Sequence, residues 1–156
     1  MKPLPEERRI LERMAPGVLA RDGFLGADTR PLAAILADDA ARVARLRTTH
    51  AEIAHRLRDV LDAAMAAYGT PFSVDEGVTA VYREAMGSLP CPWGGCGTFA
   101  KGQVEVTDRR TGLTLHLTPL SVHLVEAHGF YQGHGAPYRL DPADLCRVFR
   151  IRPETA

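Results

Sequence analysis

Cys91-Pro92-Trp93-Gly94-Gly95-Cys96, followed after a gap of 26 residues by His123-Leu124-Val125-Glu126-Ala127-His128, is the stretch on which the reading of this 156-residue chain turns. Within each pair the two residues are separated by four others. Thiolate and imidazole together make a donor set suited to a tetrahedral ion. Taken singly, each residue reads as packing or surface material, since free cysteine is among the most buried residue types. Taken together, in order and at ligand spacing, Cys91, Cys96, His123 and His128 are expected to hold one metal ion, Zn2+. Glycines 94, 95 and 97 would let backbone N–H groups approach the sulfurs.

The residues between the two pairs supply the scaffold. Gln103–Thr107 and Leu113–Leu117 flank a turn at Asp108–Gly112, which predicts a hairpin with Leu113, Leu115 and Leu117 on one face. Thr118-Pro119 then opens a helix that Gly129 ends. A cysteine turn, a hairpin and a helix with two histidines follow one another as in a C2H2 zinc finger, and residues 91–128 resemble that family with an enlarged hairpin. The resemblance implies that the four residues are ligands of a structural zinc. Two features depart from the family pattern. The gap between the pairs is about twice the usual twelve or so residues, and the cysteines stand before the hairpin. Histidines five apart on an ideal helix also point about 140° apart, so both reach one ion only if the last turn loosens. Gly129 allows that.

A catalytic metal would need an open position for water. The helix text is a near miss to H-E-x-x-H and H-x-x-E-H peptidase motifs, but its histidine spacing and its glutamate position both fail. A metal-dependent hydrolase using the Cys/His cluster, the 129–139 loop and His116, His134 or Glu126 as acid–base is the alternative function. A redox pair is disfavoured because the cysteines do not form C-x-x-C.

Elsewhere the pattern is helical, then β-rich. Residues 5–15 predict a short helix stopped by Pro16-Gly17. Residues 31–46 predict an amphipathic helix capped by Asp28 or Thr29, with Asp39 an anomaly on its apolar stripe. Thr49-His50-Ala51-Glu52 is a capping-box pattern. The helix it opens presents Ile53, Leu57, Val60, Leu61, Ala64, Met65 and Tyr68 on one face and ends at Gly69. These two helices are expected to pair as an antiparallel hairpin. Phe72–Val74 and Val78–Tyr82 predict a second β-hairpin, and Asp141-Pro142 opens a last short helix holding Cys146 as a packing residue. The expected fold class is α+β: an N-terminal helical hairpin, two β-hairpins, a zinc-finger-like ββα element and a short C-terminal helix. One domain is expected over 1–156, helical to about 69 and β-rich from about 70.

Lys+Arg and Asp+Glu balance at 19 each, which gives no global attraction to nucleic acid or membrane. The arginines of the helical half are interleaved with aspartates, as on a solvated face. The N-terminus lacks a signal peptide's apolar stretch, and no run reaches the roughly 20 apolar residues of a membrane span. A cytoplasmic location is therefore expected, and the Ala- and Arg-rich composition points to a bacterial source. Gly23–Asp28 reads as a loop leading into a helix. Trp93, His116, Tyr131, His134 and Arg139 are candidate contacts to a ligand or partner, with helix-cap and core packing as the simpler roles for this loop. The expected function is a zinc-binding, non-enzymatic binding or regulatory module with a protein partner, nucleic acid being the less favoured one.

Overall fold

The computed structural model describes residues 4–151. Three helices come first: α1 (Pro5–Met14), α2 (Leu32–Arg45) and α3 (His50–Ala66). Six strands follow: β1 (Phe72–Asp75), β2 (Val78–Arg83), β3 (Ser88–Pro90), β4 (Thr98–Ala100), β5 (Gln103–Asp108) and β6 (Thr114–Leu117). The described part ends with α4 (Pro119–His128) and α5 (Pro142–Phe149). The class is α+β, with five helices and two antiparallel sheets among the described residues.

The two expected hairpins, β1–β2 and β5–β6, join edge to edge through a β2–β5 pairing in which Ala80 faces Val106. The result is one four-stranded sheet in the order β1-β2-β5-β6. Alternation sends Val104, Val106, Leu115 and Leu117 to its buried face. Between β2 and β5 the chain makes an excursion, the two-stranded sheet β3–β4, with Leu89 opposite Phe99. The cysteine turn was expected, but no strand on either side of it. Only the cysteine turn itself is loop, because it closes this small hairpin.

The helix pairing differs from expectation. The main partner of α3 is α4, and α2 leans on α5, so α2 and α3 do not chiefly pack on each other. Asp28 and Thr29 do not cap α2; its N-cap position is Pro31, with no side-chain bond. Asp28 is instead engaged by Arg30, at 2.7 Å, and by the His134 backbone N–H at 3.1 Å. Thr49 caps α3 by accepting from the Glu52 N–H, whereas the Glu52 carboxylate turns to the Thr48 hydroxyl at 2.9 Å. The apolar face of α3 stops at Ala64: Met65 and Tyr68 are exposed.

Two apolar clusters result. One lies between the sheet, α3, α4 and α5 and includes Ile53, Leu57, Val106, Val122 and Leu145. The other gathers Ile10 and Met14 of α1, Phe24, Leu32, Ile35, Cys91, Leu120, Leu124 and Phe130. α4 serves both, with Val122 and Val125 facing the first and Leu120 and Leu124 the second. Asp39, the anomaly on the α2 stripe, is 1% exposed. Arg139 grips its carboxylate with two bonds of 2.9 and 3.0 Å.

Two glycine-bearing loops interlock beside the second cluster. Gly133 donates its N–H to the Phe24 carbonyl at 2.9 Å, and Ala27 donates to the His134 carbonyl at 3.2 Å. A Cβ on Gly26 or Gly133 would strike the opposing backbone, so neither position admits a side chain.

Candidate metal centre

The cysteine turn is shaped by its glycines. Gly94 adopts φ 83° and donates its N–H to the Cys91 carbonyl at 3.0 Å, closing a tight turn. The Trp93 and Gly94 N–H groups face the Cys91 sulfur and favour its thiolate. Burial opposes them and is the larger effect, pushing the Cys91 thiol up to about 11. A bound cation reverses that balance, because a coordinated thiol is deprotonated outright.

The histidine side is shaped by the end of α4. Thr118 accepts from the Ser121 N–H, and the Ser121 hydroxyl accepts from the Thr118 N–H, a reciprocal capping box. At the other end Gly129 sits in the left-handed region at φ 60°. Its N–H is shared between the Val125 and Leu124 carbonyls, and the Phe130 N–H also reaches the Leu124 carbonyl at 3.0 Å. The Val125 bond is the ordinary i→i−4 step, but the two to Leu124 reach back five and six residues, so the last turn is wide. This is the loosening that the histidine spacing required. The His123 and His128 rings stand 5.3 Å apart, nearly perpendicular at 82°.

The structure brings the four residues together. One ligand atom from each of Cys91, Cys96, His123 and His128 lies within 4.8 Å of all the others. His128 Nε2 is 3.4 Å from the Cys91 sulfur and 3.8 Å from that of Cys96. The His123 Nε2 atom is buried and has no hydrogen-bond partner among the described residues. Burial lowers the pKa of both histidines, so both are held as neutral imidazoles able to donate a lone pair. The four residues are therefore placed to bind a metal ion.

Aromatic rings wall the cluster. Trp93 stacks on His128 at 4.1 Å and 7° and meets Phe130 edge-on at 5.4 Å, while Phe99 of β4 lies 4.6 Å from His123. Arg13 of α1 donates from Nε to the Pro92 carbonyl and from a terminal nitrogen to the Trp93 carbonyl at 3.1 Å, tying the turn to the first helix. Neither Arg13 nor Phe99 stands out in the sequence. Phe99 lies three residues after Cys96, a weak local hint, and nothing near Arg13 announces a partner 80 residues away.

The other candidate residues sit elsewhere. Tyr131 is buried, its hydroxyl 2.8 Å from His50 Nδ1. Arg139 is committed to Asp39 and to the Gln132 carbonyl, which it reaches at 2.7 Å. His134 is exposed on the interlocked loops. His116, on β6, lies edge-on to Tyr138 at 6.3 Å, and its Nδ1 is buried without a partner among the described residues. Glu126 is exposed and paired with Arg58 at 2.8 Å. Among the described residues no helix is long and apolar enough to cross a membrane. No family model, curated protein or solved structure matches the chain.

Proposed function

We propose that Cys91, Cys96, His123 and His128 hold one Zn2+ in a closed, structural site of a zinc-finger-like unit, and that the protein is a cytoplasmic binding or regulatory module, not an enzyme. The observation that carries this reading is the buried, unpartnered His123 Nε2 inside a cluster of two thiols and a second imidazole. A buried polar nitrogen without a partner is costly, and a metal bond relieves that cost. Zinc at about 2.3 Å from sulfur and about 2.0 Å from nitrogen sets tetrahedral S···N edges of about 3.5 Å. The 3.4 and 3.8 Å edges at His128 bracket that value.

The finger-like unit consists of β3, the cysteine turn, β4 and α4, with β5 and β6 inserted between its two halves. That insertion accounts for the long gap between the ligand pairs. The cysteines stand at the tip of their own hairpin, which corrects the expectation that the β5–β6 hairpin is the finger's. A full set of four ligands favours a structural role over a hydrolytic one, since hydrolysis needs an open coordination position. A protein partner fits the balanced charge better than nucleic acid. Exposed His134 and half-exposed Trp93 and His116 are the surface candidates for its contact.

The test is the metal content of the purified protein, alongside Cys96→Ala and His128→Ala. About one zinc per chain is expected, lost in both variants together with thermal stability. A metal-free wild type with unimpaired thermal stability would overturn the proposal.

A further inference from the structure

A cavity of about 410 Å³ opens between the 19–24 loop, the β3–β4 hairpin and the start of α4. Phe24, Leu89 and Leu120 form its apolar wall. Gln132 lines it too, and is the residue that points to a ligand. It is only 5% exposed, and its backbone sits at φ 73°, in the left-handed region that residues other than glycine seldom adopt. Its backbone carbonyl is bonded to Arg139. Its side-chain amide makes no hydrogen bond among the described residues, where Gln132 is engaged through its carbonyl. An amide on a residue more than nine-tenths buried, with no protein partner, is poised for an outside one. Strain held at such a residue is a recurring mark of binding sites.

The rim is charged. Arg21 and Lys101 are exposed and form no ion pair among the described residues, and Asp22 is the carboxylate beside them. Two cations against one anion leave a net charge of +1. The interlocked glycine loops hold Phe24 and Gln132 in place through the Gly133 N–H, so the floor is preformed. The volume lies within the roughly 300–1,000 Å³ of small-molecule sites.

We propose that this cavity binds a small organic carboxylate whose apolar body rests on Phe24, Leu89 and Leu120. A polar group of that ligand, donor and acceptor in one, pairs with the Gln132 amide, and its carboxylate reaches Lys101 and Arg21. None of the four metal candidates lines the cavity, although Leu89 and Leu120 stand on β3 and α4, the elements those residues join.

N-benzoylglycine is a suitable probe, since it carries a phenyl ring, an amide and a carboxylate. It is titrated into the purified full chain and followed by 1H–15N spectra that include the side-chain amides. Saturable shifts centred on the Gln132 side-chain NH2 are expected. Its methyl ester should bind at least about tenfold more weakly, as should the acid to Lys101→Ala, because each removes a charge-assisted bond. Gln132→Leu should abolish saturable shifts at the backbone amides of Phe24, Leu89 and Lys101 as well. Absence of a saturable shift, equal binding of acid and ester, or wild-type binding by Lys101→Ala would overturn the proposal. Lys101 is exposed, so that variant decides the matter even if Gln132→Leu fails to fold.

Discussion

Replacing Arg139 by leucine strands a carboxylate. The Asp39 side chain is 2% exposed, and its hydrogen bonds among the described residues are the two from Arg139. Breaking a buried pair from one side typically costs about 3–5 kcal/mol. Protonation sets a ceiling on that cost: neutralising an ordinary carboxylic acid at pH 7 takes about 4 kcal/mol. The Gln132 carbonyl also loses its donor, adding about 1 kcal/mol. A loss of about 4–5 kcal/mol at pH 7 is thus expected for Arg139→Leu, or a fall in Tm of about 8–20 °C for a chain of this size. Asp39→Leu combined with Arg139→Leu should recover most of the loss, since replacing both partners by apolar residues is often neutral. Denaturant melts of the wild type and the two variants at neutral pH measure this, with metal content as a control that should not move. A single variant within about 1 kcal/mol of wild type, or a double variant no more stable than the single one, would refute the reasoning.

Burial holds His50, His123 and His128 below the ordinary histidine value. The unfolded chain therefore takes up protons first, so metal-free stability should be complete above about pH 6.5 and fall as the pH drops below it, as melts in chelator would show. Arg13→Ala should weaken the clamp on the cysteine turn by about 1.5–3 kcal/mol and speed metal loss to a competing chelator, read by a colorimetric indicator. Gly129→Ala should destabilise by more than about 1 kcal/mol, because the position is left-handed and a Cβ would come within 2.8 Å of His50 Nε2; thermal melts and metal content check it. Trp93 is the chain's single tryptophan and stacks on a ligand, so its fluorescence should change saturably as metal is removed and restored.

What the sequence made legible was local. Thr118, Pro119 and Gly129 bound α4 through capping chemistry that acts within a turn, and the four metal candidates stood out through their spacing. Strands β5 and β6 showed their alternation, and their inner leucines are buried at 115 and 117. Strands β3 and β4 escaped because each has three residues with little burial contrast, and Pro90 argued against pairing. The β2–β5 pairing and the α3–α4 packing depend on residues far apart in the chain, which periodicity does not encode. Asp39 was visible as an anomaly on an apolar stripe, but its partner lies 100 residues on. Glycines 26 and 133 read as turn residues when each is also needed for the approach of two backbones.

The bond from Arg13 to the cysteine turn has a consequence for synthesis. The clamp joins residues 80 apart, and at about 5–20 residues per second α1 leaves the ribosome roughly 4–16 s before its anchor exists. For most of that interval Ile10 and Met14 have only the early part of their cluster to meet, Phe24, Leu32 and Ile35, with Cys91, Leu120, Leu124 and Phe130 still to come. Glu6, Glu7, Arg8, Arg9, Glu12 and Arg13 surround them with charge of both signs. The seating of α1 is completed only once that turn has been made, and the dense charge keeps the unfinished segment in water until then.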